Sequence, residues 1–177
     1  ICIDGISFFH LPYQFNVNEQ VRLREMTEEY EYDIGIINAI PKIDGNVENT
    51  RITLWNKLIQ TDMKVKNIIG WNDLRDVMIS KCKIILNIHN FEFFKIFEHV
   101  RCDRLIFANK LIVSQVSLDC DTLDIYNNVI WINNDDQIIQ TIEYIIKNFE
   151  ELKTKYNDPT RLTEIMINRR VELQNTV

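Results

Sequence analysis

Apolar positions in this chain fall into short blocks that recur in a regular order. YDIGIINA (32–39), KVKNIIG (64–70), KIILNIH (83–89), KLIVSQV (110–116) and VIWIN (129–133) are rich in apolar and β-branched residues and have the length of strands. The segments between them space their apolar residues three and four apart. TRITLWNKLIQT (50–61) predicts a helix with Ile52, Trp55, Leu58 and Ile59 on one face. NDLRDVMISK (72–81) predicts a helix with Asn72 as its N-cap, and residues 91–107 and 135–149 predict two more. Residues 122–126 suggest a helical turn. The tail from Asp158 to Gln174, with Pro159 just after a capping aspartate, predicts a last helix.

Strands alternating with helices imply βαβ units. The predicted fold is therefore α/β: a doubly wound parallel sheet, Rossmann-like, with helices on both faces. Such folds hold ligands beyond the carboxyl ends of their strands. Residues 1–30 break the pattern. ISFFHLPYQFN is aromatic and reads as extended, and the charged VRLREMTEEYE reads as a short helix or surface turn. The expected organisation is a segment, 1–30, packed on an α/β domain, 31–177.

Composition narrows the possible partners. The chain has 177 residues, enough for one sizeable core, and a net charge of −6 with no basic run. A nucleic-acid backbone is disfavoured as partner, because such ligands ask for a basic stripe. A small anionic ligand needs only two or three cations and stays open. No apolar run approaches the roughly 18 residues of a membrane span. Cys2, Cys82, Cys102 and Cys120 lack metal-ligand spacing. Scattered thiols fit a reducing, cytoplasmic setting, with Cys82 and Cys102 as small buried residues. Abundant Ile and Asn, both with AT-rich codons, suggest the genome bias of some large DNA viruses. Ile1 in place of Met reads as a cut or processed end.

The candidate chemistry collects at predicted strand ends. The loop NAIPKIDGNVENTR (38–51) has neither GxGxxG nor GxxxxGK[ST], which disfavours dinucleotide-binding and P-loop readings and leaves Arg51 as its notable residue. His89 ends a strand, with Lys95, Glu98 and Arg101 in the predicted helix behind it. A helix N-terminus at a strand's carboxyl end suits phosphate, and a carboxylate near it suits ribose hydroxyls. Glu98 and Arg101, three apart, would share a face and pair. Asp119-Cys120-Asp121 has the spacing of a DxD metal motif, but capping and solvation fit its late position better. His10, Tyr13, Gln14 and Asn16 are too polar for simple core and suit a cleft or a docking edge. No Ser/His/Asp or Cys/His triad emerges from the spacing.

DIGIIN, Arg51, LNIH (86–89), KIFEHVRC (95–102) and NKLIVS (109–114) together resemble the C-terminal half of a GT-B glycosyltransferase of the family-1/family-4-like group. LPYQFN (11–16) resembles the lead-in to that half, so the likeness spans about residues 11–150. The resemblance implies a donor site for a UDP- or GDP-linked sugar. In it Glu98 would hold the ribose, amides around Glu92 to Lys95 and on through Ile96 and Phe97 would border the diphosphate, and Arg51 and Lys95 would neutralise it. Gly70 and Trp71 would border the base, and His89 would lie near the sugar or phosphate as the catalytic candidate. Such enzymes usually need no metal, so neither metal nor cofactor is expected. Two departures stand out: Gln115 where relatives commonly have a glutamate, and no second half to supply the acceptor site and base. This chain alone would bind donor but transfer sugar slowly or not at all. The rival reading is a non-catalytic interaction module with a vestigial nucleotide site. A third, a metal-dependent transferase, would use Asp119 and Asp121.

Overall fold

The computed structural model describes residues 2–3, 6–7, 23–26, 29–37, 50–89, 95–133 and 137–176. His10, Tyr13, Gln14, Asn16, Glu92 and most of loop 38–51 lie outside them. Two short strands, β1 (Cys2–Ile3) and β2 (Ile6–Ser7), pair antiparallel. The main sheet has five parallel strands: β3 (Tyr32–Ile37), β4 (Val65–Ile68), β5 (Cys82–Asn87), β6 (Leu111–Gln115) and β7 (Val129–Ile132). Its strand order is β4-β3-β5-β6-β7. The chain moves outward from β3 in one direction and then the other, which makes the β3/β5 boundary the topological switch point.

Helices cover both faces, as the alternation predicts. One face buries Ile79 of α2 (Asn72–Ser80), Cys102 to Phe107 of α3 (His99–Phe107), and Leu162 and Ile165 of α6 (Pro159–Thr176). The other buries Leu54 and Leu58 of α1 (Thr50–Leu58), Ile138, Ile142 and Ile145 of α4 (Ile138–Lys147), and Phe149 of α5 (Phe149–Tyr156). Strands buried on both sides must be almost wholly apolar, which is why they read as unbroken runs. Leu23 joins the first face, and Arg24 Nη2 donates to the Phe107 carbonyl at 2.7 Å.

Several elements differ from the sequence expectation. Helix α3 starts at His99, and residues 95–98 are not helical, so Lys95, Ile96, Phe97 and Glu98 form the approach to the helix. The reason is tertiary: the Asp119 carboxylate accepts the Phe97 N–H at 3.1 Å, and the Leu118 N–H donates to the Lys95 carbonyl at 2.7 Å. Loop contacts thus take up backbone groups that a helix would have used. The buried face of α1 is Arg51, Leu54 and Leu58, while Ile59 is exposed. Trp71 occupies the N-cap position of α2, and Asn72 is the first helical residue. The turn expected at 122–126 is instead two 3-10 turns, Cys120–Thr122 and Tyr126–Asn128. A further helix, α5, follows the one expected over 135–149; Phe149, Leu152 and Tyr156, spaced three and four apart, seat it against the core. Asp158 does cap α6, its Oδ1 accepting the Thr160 N–H at 2.9 Å.

Gly35, in the middle of β3, has a packing role. A methyl group there would lie 2.7 Å from Ile68 Cδ1 and 2.8 Å from both Cys82 Sγ and Ile85 Cδ1. The side chains of the two flanking strands meet over the bare backbone of the central one.

Candidate functional site

A cleft of about 490 Å³ opens at the carboxyl end of the sheet, beside the switch point. It is lined by Ile37 at the end of β3, Trp71 and Arg75 from the start of α2, and the 97–101 segment with Arg104. Topology explains the meeting. Parallel strands deliver all their following loops to one edge, so α2 and α3 begin side by side there. Trp71 is 75% exposed at the rim, and the Arg75 guanidinium lies 5.6 Å from its ring centroid. Gly70 precedes it with φ +105°, a conformation that a side chain would strain.

Glu98 stands in the cleft wall between two arginines. Its Oε2 pairs with Arg101 Nη2 at 2.6 Å, the expected three-residue contact. Its Oε1 pairs with Arg51 Nη2, and Arg51 Nε donates to the Ile88 carbonyl at 2.6 Å. Arg51 is buried at the switch point. Burial, and then the nearby Arg101, lower its hold on the proton, and Glu98 opposes them. Arg104 Nη2 reaches the buried Asp76 of α2 at 2.5 Å, tying the two helices that border the cleft.

His99 opens α3 and lines the same cleft. The Asp103 carboxylate accepts from its Nδ1 at 3.0 and 3.1 Å. Asp103 is fully buried and also takes Arg169 Nη1 at 2.7 Å. Arg169 in turn grips Asp124 through Nε and Nη2, each at 2.6 Å, with Phe107 under its guanidinium at 5.2 Å. The bond to Asp103 holds the His99 imidazole above its ordinary pKa, against desolvation.

The predicted residues separate into groups. Trp71, Phe97 and Glu98 line the cleft, and Arg51 lies directly behind Glu98. Phe97 is buried, its ring edge-on to His99 and to Trp131 at 5.2 and 5.4 Å, so it packs the cleft floor. Lys95 and Ile96 are exposed and do not line the cleft. His89 also stands outside it and is only 3% exposed. Its N–H donates to Gln115 Oε1 at 3.0 Å, and its Nε2 faces the Val116 carbonyl at 3.3 Å and Ser117 Oγ at 3.4 Å. Desolvation keeps it below the ordinary histidine pKa. Gln115 is therefore a buried tie between β6 and the end of β5. Asp119, half of the DxD-like pair, is committed to the Phe97 amide. Among the described residues, no group of three or more His, Cys, Asp or Glu is arranged to hold a metal ion, and no helix is long and apolar enough to cross a membrane.

The residues missed from the sequence are Arg75, His99, Arg104 and the Asp103–Arg169–Asp124 network. The four-residue spacing of His99 and Asp103 was a usable signal. Nothing local marked Arg75 or Arg169.

Fold and cleft together define a doubly wound α/β domain with an arginine-rich pocket beside its switch point. No family model matches the chain. It is similar to proteins of Acanthamoeba polyphaga mimivirus, in line with the viral reading of its composition. Uncharacterized protein L140 is 31% identical over 151 residues, covering 82% of this chain and 47% of that protein. Uncharacterized protein L138 is 30% identical over 143 residues, or 76% of this chain and 15% of that protein. Uncharacterized protein L137 is 27% identical over 149 residues, or 82% and 20%. The chain spans less than half the length of each of these relatives.

Proposed function

We propose that this domain binds a nucleotide-activated sugar, of UDP or GDP type, as the donor half of a GT-B glycosyltransferase. One observation carries the reading: an exposed indole, a carboxylate and three arginines line one cleft at the ligand-binding edge of a parallel sheet. That set matches the parts of such a donor. A flat ring suits the base, a carboxylate suits ribose hydroxyls, and arginines suit phosphate oxygens. In this reading Glu98, held by Arg51 and Arg101, takes the ribose. Arg75, Arg101 and Arg104 neutralise the diphosphate and stabilise it as a leaving group. The acceptor and its base come from another domain or partner chain.

Thermal unfolding against UDP, GDP, CDP, ADP and their sugar conjugates, with and without EDTA, tests the proposal. A ligand at 100 times its Kd stabilises the native state by roughly 2.7 kcal/mol, a shift of several degrees. A shift with one base, insensitive to EDTA and lost in Glu98→Ala, supports it. A shift abolished by EDTA favours the metal-dependent reading with Asp119 and Asp121. No shift with any nucleotide favours the interaction module. That second reading has its own support: Ile69, Trp71, Leu74 and Val100 are all more than 60% exposed near the cleft. In addition, the Arg51–Glu98 pair already satisfies charges that a ligand would use.

A further inference from the structure

We propose that His99 is the titrating cation of the cleft: its imidazolium, held in place by Asp103, donates from Nε2 to a phosphate-type oxygen of the bound ligand. The inference rests on the reading that the cleft takes a nucleotide diphosphate, and it assigns the group that makes such binding depend on pH.

The geometry assigns distinct tasks to the two ring nitrogens. Nδ1 is occupied by Asp103, one turn further along α3. Asp103 cannot swing away, because Arg169 of α6 holds its other side and is itself clamped by Asp124. The ring is also braced by the edge contact with Phe97. Among the described residues Nε2 has no partner, which leaves it for a ligand, and His99 borders the cleft that Arg101 and Arg104 share. His99 also sits at the first position of α3, where the helix dipole favours an anion nearby.

The charged groups around His99 set the sign. Asp103 on its own helix and Asp119 from the loop after β6 favour the charged ring, and Arg169 opposes it. Glu98, which directly precedes His99, lines the same cleft with Arg75, Arg101 and Arg104. Guanidinium groups as a class do not titrate near neutrality. A change in anion affinity as pH rises past the ordinary histidine value of 6.5 therefore belongs to His99, whose pKa is raised by its bond to Asp103. By linkage, a bound anion must raise the His99 midpoint further, and affinity must fall as pH passes through it.

The experiment is an NMR titration of the His99 ring in chloride, in sulfate at equal ionic strength, and with UDP- or GDP-sugars. Sulfate is the generic probe, since it does not titrate near neutrality; His99→Gln assigns the resonance. The expected result is a midpoint raised by about half a unit or more by an anion, with about a threefold loss of affinity across it. Asp103→Asn should lower the midpoint while leaving an anion-induced rise. A midpoint unmoved by both sulfate and nucleotide-sugar overturns the inference. The two readings fail separately. A sulfate-induced rise without nucleotide binding keeps the His99 contact and removes the nucleotide-sugar reading. Nucleotide binding with an unmoved midpoint does the reverse.

Discussion

Arg51 and Glu98, 47 residues apart in the chain, form an ion pair at the switch point of the sheet. Arg51 is anchored by the Ile88 carbonyl, so the pair ties α1, the end of β5 and the entry to α3 together. Removing Glu98 leaves a buried guanidinium short of its counter-charge. Glu98→Ala should therefore cost about 1–3 kcal/mol in chemical unfolding. A cycle with Arg51→Ala should give a coupling above about 0.5 kcal/mol, and additive single effects would contradict the pairing.

Arg169 joins the carboxylates of Asp103 and Asp124 beneath the cleft. Arg169→Met takes from the buried Asp103 its guanidinium partner and leaves His99 beside it. A loss of about 3 kcal/mol or more is expected, the usual result of stranding a buried charge. Urea denaturation of the variant reads it directly.

The two histidines should give stability opposite slopes with pH. His99 has a raised pKa, so its contribution is full below the ordinary value of 6.5 and is lost as pH rises through the folded value. His89 has a lowered pKa, so its contribution is present above 6.5 and is lost as pH falls through the folded value. Measured stability should peak near neutrality. His99→Gln should flatten the alkaline limb and His89→Gln part of the acid limb. A variant that flattens the opposite limb would contradict the assignment.

Gly35→Ala places a methyl group within 2.8 Å of three atoms of neighbouring side chains. Overpacking of this kind costs about 1–3 kcal/mol. Denaturation midpoints of Gly35→Ala and Gly35→Val should fall in that order.

Asp119 holds the Phe97 N–H in its non-helical place. Asp119→Ala removes that acceptor and should cost about 1 kcal/mol. Faster amide exchange at Phe97, with little change in α4, is the measurement that checks it.

Much of the fold was legible in the sequence because parallel strands buried on both faces need continuous apolar runs. Chains such as KIILNIH and KLIVSQV have few other uses in an α/β pattern. The Asp158–Pro159 start of α6 was legible because capping is local chemistry. Residues 95–98 were misread as helix because the competitor for their backbone groups, Asp119, lies more than 20 residues away. The face of α1 was misread because its buried side includes a charged residue, Arg51, whose partner is 47 residues distant.

The sequence by itself determined the alternation of elements, and with it the parallel sheet and the edge where a ligand site belongs. Period and local capping act over a few residues, and these features depend on nothing longer. Only the tertiary structure decided which side chains meet at that edge. It brought Arg75, His99, Arg101 and Arg104 around one cleft with Trp71 and Glu98, and left His89 buried against Gln115 and Val116. Those outcomes depend on strand order and on ion pairs that span 28 to 66 residues, distances over which sequence periodicity carries no information.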